Sequence, residues 1–229
     1  MKYLRIFLAV LLVPVVVSFV LEFLNISTDL LARVSVTTVP FWIGIFSYFI
    51  FQIIFEKPLK TYVFGHELTH AIFGLLNGAR VKSFKVSASG GSVILTKTGV
   101  IVALSPYFVP LYSIIAIAVY FVISRFIDVR PFNLYFLFIV GFTVSFHIAL
   151  TYYAISRGQS DLKQFGVFFS FLFVVLVNCI ILSLILKIVL PYDVNLMAYF
   201  YHSLGGTFTI WQSLYVFGTK LWATFQLTK

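Results

Sequence analysis

The segment His66-Glu67-Leu68-Thr69-His70 combines residue types and a spacing that suit metal chemistry. On a helix, residues four positions apart lie on one face, so both imidazole rings can reach a single ion. Two histidines in this pattern bind Zn²⁺, and the glutamate between them acts as general base. A polar helix-packing face is the alternative, but packing alone does not require a glutamate between two histidines at this spacing. We therefore predict His66 and His70 as zinc ligands and Glu67 as the catalytic base.

The chain around this motif has the composition of an integral membrane protein. Of its 229 residues, 61% are hydrophobic and 10% are charged, whereas soluble domains are about one quarter charged. The formal net charge of +9 would suit a nucleic-acid partner, but the basic residues are scattered between apolar segments. This distribution fits cytoplasmic loop charge and contact with anionic lipid. We therefore expect the lipid bilayer as a partner and no nucleic acid.

Apolar segments separated by polar breaks predict an all-α polytopic membrane protein with about five to six transmembrane helices. We expect a single domain over residues 1–229, with its core at about 60–190. The run at 4–24 is too long for a cleaved signal peptide and is expected to remain as a helix. The other predicted spans are 40–55, 100–123, 131–155, 167–190 and, more weakly, 197–217. The motif segment at 61–77 is barely long enough to span, so it either crosses the bilayer or enters part of it.

A short β-hairpin is expected after the motif helix. Apolar and polar residues alternate on both sides of Gly90-Gly91, over residues 84–95. Period-two alternation around a glycine pair is typical of a hairpin. A flexible polar loop is the alternative.

The motif supplies two ligands, and a catalytic zinc site takes a third from the protein while keeping one position for water. Asp161, His147 and His202 are the candidates. Among the acidic residues, only Asp161 follows the motif on its predicted side of the membrane, just before a spanning helix; it would otherwise cap that helix. His147 is the other leading ligand candidate, or a buried structural histidine. His147 and Asn178, which lies in the middle of an apolar span, are also candidates for substrate binding or oxyanion stabilisation.

The distribution of basic residues predicts which side faces the cytoplasm. If the motif segment enters the membrane and returns, the hairpin side collects 12 of the 16 Lys and Arg residues. If the motif segment spans, the same side collects 9 against 7. Both arrangements place the hairpin and Asp161 together on the cytoplasmic side, and the first has the stronger bias.

The chain resembles the site-2 protease family of intramembrane zinc metalloproteases. The resemblance covers roughly residues 60–190 and lies in Gly65-His66-Glu67-Leu68-Thr69-His70-Ala71, Gly78, the Gly-Gly hairpin and Ala103-Leu104-Ser105-Pro106. It implies a hydrolase with a zinc cofactor that cleaves transmembrane segments of membrane-protein substrates. It also implies a bacterial plasma membrane location and a third ligand, an aspartate, from a later membrane helix. The segment Gln159-Ser160-Asp161-Leu162 lacks the proline and the following glycine of the family pattern, as expected for a divergent member.

Two alternatives belong to other functional classes. One is a non-catalytic membrane protein, either a metal transporter or a substrate-binding pseudoprotease. A transporter would carry more ionisable residues along a path, and a pseudoprotease would lack the glutamate that is present here as Glu67. The other is a protease for lipidated peptides, whose third ligand is a glutamate. Outside the motif, only Glu22 and Glu56 remain for that role, and both precede it.

Overall fold

Apolar runs divided by glycine, proline and charge fold into helices, which a computed structural model describes over residues 2–87 and 90–227. Within these residues there are nine α-helices and one two-stranded antiparallel sheet. The elements are α1 Lys2–Ala32, α2 Val39–Ile54, α3 Leu59–Leu76, β1 Val81–Ser87, β2 Gly90–Leu95, α4 Val100–Phe108, α5 Leu111–Ile123, a 3₁₀ turn Arg130–Phe132, α6 Asn133–Ser156, α7 Ser160–Phe165, α8 Val167–Val189 and α9 Leu196–Leu227.

Three of the described helical segments are long and apolar enough to cross a membrane: Tyr3–Ala32, Arg130–Ser156 and Val167–Val189. The bent pair α4–α5 would make a fourth. Membrane integration is therefore as predicted, while length and composition identify fewer spans than the five to six expected. The difference arises at α2, which has only 16 residues, and at α9, which carries threonine, serine and glutamine along its length.

Helix α1 is longer than the apolar run that predicted it. We expected the helix to end at Leu24, but it continues to Ala32 and takes up about half of the stretch between the predicted spans 4–24 and 40–55. The hydroxyls of Ser27 and Thr28 donate to the carbonyl oxygens of Phe23 and Asn25, at 2.8 and 2.9 Å. These side chains bond back to the preceding turn and do not cap a new helix.

The apolar segment at 100–123 forms two helices that meet at an angle of 74°. Helix α4 ends at Phe108, and Pro110 precedes α5. Because proline has no N–H group, it cannot continue the hydrogen-bond ladder of α4. The bend and Pro106 inside α4 each leave a backbone carbonyl of this helix available to a side chain from another helix.

Helices α2 and α6 pack closely against each other at two glycine residues. A Cβ atom at Gly44 would lie 2.2 Å from the carbonyl oxygen of Phe138, and one at Gly141 would lie 2.1 Å from that of Phe41. Real Cβ atoms do not approach so closely, so the two backbones meet only because neither position has a side chain. Helix α6 is thereby fixed against α2.

The predicted β-hairpin is confirmed for the described residues. Strands β1 and β2 are antiparallel, with Phe84 opposite Val93 and Lys85 opposite Ser92. The glycine pair around which the hairpin was predicted belongs to β2, where Gly90 lies opposite Ser87 and Gly91 opposite Val86. Residues 88 and 89 lie outside the described residues. The hairpin packs on α3 through Phe84, whose ring meets that of Phe64 edge-on at 6.2 Å.

Candidate metal centre

Helix α3 and the short helix α7 bring three potential metal ligands together. His66 and His70 are one turn apart on α3, and their Nε2 atoms lie 3.5 and 3.4 Å from Oδ2 of Asp161 on α7. All three ligand atoms lie within 4.8 Å of one another, and no other such group of three occurs among the described residues. The structure therefore places Asp161, and not His147 or His202, beside the two motif histidines. Its role as a ligand remains a prediction.

The ring of His70 is oriented by a main-chain carbonyl of α4. Its Nδ1 atom lies 2.8 Å from the carbonyl oxygen of Val102. A carbonyl only accepts hydrogen bonds, so Nδ1 carries the proton and donates it. In an unbroken helix this carbonyl would accept from the amide of residue 106, but that residue is Pro106 and has no N–H. The proline thus frees the carbonyl that fixes the tautomer of His70 and leaves its Nε2 free to bind a metal.

The ring of His66 has its own partner one turn earlier on α3. The hydroxyl of Tyr62 lies 3.3 Å from Nδ1 of His66. A ring that binds metal through Nε2 carries its proton on Nδ1, so Tyr62 would then accept this hydrogen bond. Both histidines therefore have a partner that suits coordination through Nε2.

The surroundings of Asp161 favour the ionised form of its carboxyl group. Its Oδ2 atom faces both imidazole rings and accepts a hydrogen bond from the hydroxyl of Tyr107 at 3.0 Å. Burial alone would raise the pKa of the Asp161 carboxyl, but the adjacent imidazole rings of His66 and His70 outweigh it and hold that pKa below its usual range. Helix α7 has no side-chain cap at Gln159. The carboxylate thus stays ionised and directed at the histidines.

Glu67 lies beside this group and outside it. Its side chain is only 8% exposed, and it receives a hydrogen bond from the backbone of Val93 on β2. Burial raises the pKa of Glu67, and the nearby His70 and the Val93 amide lower it only in part. A carboxylate with a raised pKa is a stronger base, as a proton-transferring group requires.

An open cleft of about 590 Å³ gives access to these residues. The motif of α3 forms one wall, residues 90–95 of β2 form another, and Gln159, Ser160 and Gln164 around α7 form a third. One edge of β2 pairs with β1, while the Val93 amide points to Glu67. Since alternate residues of a strand direct their amides to the same edge, Gly91 and Leu95 also present backbone groups to the cleft.

His147 and Asn178 contact each other inside the helix bundle. Nε2 of His147 lies 3.2 Å from Oδ1 of Asn178, and neither residue lines the main cleft. His147 borders a gap of about 20 Å³ that also touches His66. Nδ1 of His202 on α9 lies 3.9 Å from Oε1 of Glu22 on α1, away from the cleft residues.

Two contacts place basic residues from early in the chain at the same end as α7. The Arg5 guanidinium donates to the carbonyl oxygen of Gln164 at 2.8 Å. The ammonium of Lys57 and the guanidinium of Arg157 both lie over the ring of Tyr153, at 4.5 and 5.2 Å from its centroid. These contacts match the arrangement in which the motif segment enters the membrane and returns.

At the other end of the bundle, the hydroxyl of Tyr192 donates to the carbonyl oxygen of Arg33. Arg33 and the loop after α8 therefore share the end opposite the cleft, as the same arrangement requires.

Sequence reasoning missed Tyr62, Val102 and Tyr107, which contact the candidate ligands. Tyr62 carried a signal, because it precedes His66 by four residues and so shares its helix face. Pro106 was a second signal, because a proline inside a helix frees the carbonyl four residues earlier. Tyr107 had no such signal, since its contact with Asp161 joins residues 54 positions apart.

Comparison with known proteins gives no further assignment for this site. No protein-family model, curated protein or solved structure matches the chain.

Proposed function

We propose that this protein is an intramembrane zinc metalloendopeptidase that hydrolyses peptide bonds in or near transmembrane segments of membrane-protein substrates. One observation carries the proposal: His66, His70 and Asp161 converge on one point, while Glu67 faces the same open cleft without belonging to that group. Three ligands with an adjacent free carboxylate are what a hydrolytic zinc site needs.

The donor set fits a zinc ion. With the proton of His70 on Nδ1, the lone pair of its Nε2 faces a carboxylate oxygen 3.4 Å away. Two acceptors in this position repel each other unless a cation or a further proton lies between them. Zn²⁺ favours two imidazole nitrogens with one carboxylate oxygen, and it would supply a Lewis acid that lowers the pKa of water from about 16 towards 7.

Glu67 performs the proton transfers of this mechanism. It accepts a proton from the attacking water as the water oxygen bonds to the scissile carbonyl carbon. It then delivers that proton to the amide nitrogen as the C–N bond breaks, so the products are a free acid and an amine. Its burial and raised pKa suit both steps, because the carboxyl must gain and lose the proton in each cycle.

The outer edge of β2 is the surface that would hold the substrate. A helical substrate keeps its carbonyls in its own hydrogen bonds and has to unwind before attack. An unwound segment can pair with a free strand edge through main-chain bonds. Gly90 and Gly91 leave this edge clear next to Glu67.

The membrane arrangement that we propose has the cleft on the cytoplasmic side of a bacterial plasma membrane. The contacts of Arg5 and Lys57 support the arrangement with 12 of the 16 basic residues on the side of the cleft. The other four are Arg33, Arg125, Arg130 and Lys187. In this arrangement α1, α2, the α4–α5 pair, α6, α8 and α9 cross the membrane, α3 enters it and returns, and the hairpin lies on the cytoplasmic side.

Metal analysis of the purified protein together with a cleavage assay tests the proposal. We expect about one zinc per chain and cleavage of single-span membrane substrates that stops when zinc is chelated and returns when it is restored. A transporter or pseudoprotease would bind metal or substrate without producing cleavage products. The protease proposal would be contradicted if the protein did not bind zinc, or if it bound zinc but cleaved none of the single-span substrates tested.

A further inference from the structure

The carbonyl of Tyr107 needs a partner from outside its own helix. In a continuous helix the amide of Leu111 would donate to this carbonyl. At the break between α4 and α5, that amide donates to the carbonyl of Val109 instead, at 2.8 Å. Tyr107 is fully buried, and an unpaired buried carbonyl costs free energy comparable to a lost hydrogen bond.

Asn178 on α8 supplies the partner. Its Nδ2 atom donates to the carbonyl oxygen of Tyr107 at 2.8 Å and to that of Val174 at 2.9 Å. Since both partners are carbonyls, the orientation of the amide is defined, and its Oδ1 atom is left to accept from Nε2 of His147 at 3.2 Å. Both polar atoms of this half-buried side chain are therefore in use, between α4, α6 and α8.

The side chain of the same tyrosine reaches the candidate metal ligands. The hydroxyl of Tyr107 donates to Oδ2 of Asp161 at 3.0 Å, and its ring packs edge-on against that of His66 with centroids 5.1 Å apart. Asn178 thus holds the backbone of the residue whose hydroxyl holds Asp161. The connection runs through a rigid aromatic ring, so a shift of the backbone at Tyr107 moves the hydroxyl with it.

We propose that Asn178, oriented by His147, is a positioning residue for the metal centre that acts on Asp161 through Tyr107. The inference rests on the proposed role of Asp161 as a metal ligand. It gives His147 and Asn178 a different role from binding substrate or an oxyanion. Substitution of such outer partners lowers metal affinity by about ten- to a hundredfold in other sites.

Zinc affinity, measured by competition with a chromophoric chelator on the detergent-solubilised protein, tests the proposal. We expect Asn178→Leu and Tyr107→Phe each to weaken zinc binding by at least about tenfold. If Asn178 acts through the tyrosine hydroxyl, the double variant binds zinc no more weakly than the weaker single variant. Ser183→Ala is the control, because it removes a buried hydroxyl of α8 whose partners, the carbonyl of Cys179 and Tyr199 of α9, do not line the cleft.

A second pair covers the case in which Asn178→Leu does not fold. His147→Gln keeps an N–H donor for Asn178 and should bind zinc as the wild type does. His147→Phe lacks that donor and should bind zinc more weakly. Unchanged affinity in Asn178→Leu, additive effects in the double variant, or equal affinity in the two His147 variants would overturn the positioning role. Absence of zinc binding in the wild-type protein would overturn the metal centre itself, and the two failures are therefore distinct.

Discussion

Gly91 of β2 lies directly against the side chain of Glu67 of α3, and a Cβ atom at position 91 would be 2.7 Å from the Cγ atom of Glu67. The same Cβ would lie 2.7 Å from Cγ1 of Val63 and 3.0 Å from the carbonyl oxygen of Lys85. Contacts below 3 Å cannot be kept, and the end of the Glu67 side chain is the part most able to move. The hairpin therefore sets the position of the proposed base.

Gly91→Ala should lower kcat for cleavage by about a hundredfold, because an ångström-scale displacement of a catalytic group costs that much. Zinc content should stay at the wild-type level, since the three atoms nearest to the added Cβ belong to Glu67, Val63 and Lys85 and not to a candidate ligand. Gly99→Ala is the matched control, because a Cβ there meets nothing within 4 Å. Wild-type kcat in Gly91→Ala would show that Glu67 does not need its present position.

Glu67→Gln should retain about one zinc per chain and lose cleavage, because the amide has nearly the same shape but cannot accept the water proton. His66→Ala should lose both zinc and cleavage, because it removes a ligand. Zinc content and product formation, measured on the same preparations, separate the two roles. Full activity in Glu67→Gln would be incompatible with a protease in which this residue is the base.

Asp161→Asn should lower zinc affinity sharply while the protein remains folded. An amide oxygen is a weaker zinc ligand than a carboxylate, although it caps a helix equally well. Asp128→Asn is the control, because Asp128 is exposed and pairs with Arg130 at 2.9 Å. Zinc affinity is read by chelator competition and folding by thermal unfolding. If Asp161→Asn binds zinc as wild type does, the aspartate is not the third ligand and His147 becomes the next residue to test.

Cysteine labelling should distinguish the two membrane arrangements. In a Cys179→Ala background, Lys60→Cys, Ser89→Cys and Ser160→Cys should react with an impermeant reagent from the cytoplasmic side, and Arg33→Cys from the other side. Labelling of Lys60→Cys from the side of Arg33→Cys would mean that α3 spans the membrane. Labelling of Ser89→Cys and Ser160→Cys from opposite sides would exclude both arrangements.

The parts of the site that depend on local periodicity could be predicted from the sequence. His66 and His70 share a helix face because of their spacing, and the hairpin follows from alternation around Gly90-Gly91. Asp161 was predicted by elimination and by its expected side of the membrane, since 91 positions separate it from His70 and no local pattern joins them. The structure places it 3.4 Å from that histidine.

The parts that depend on how helices pack could not be predicted in this way. The contact between Tyr107 and Asn178 exists only because α4 breaks at a point where α8 passes beside it. Proline marked the break, but no local pattern identifies which helix would supply the missing hydrogen bond. The length of α1 was underestimated for a related reason: its last two turns are more polar than a membrane span, yet contain no residue that ends a helix.

The carbonyl of Val102 gives this site an unequal tolerance to mutation. Any amino acid at position 102 carries the same carbonyl, so replacing the side chain leaves the partner of His70 in place. A change at Pro106, four residues away and in contact with neither histidine nitrogen, would restore an amide that competes for that oxygen. A part of the candidate metal centre is thus encoded by a residue that contributes no ligand or hydrogen bond to it, and a survey of side chains alone would assign that residue to the structural background.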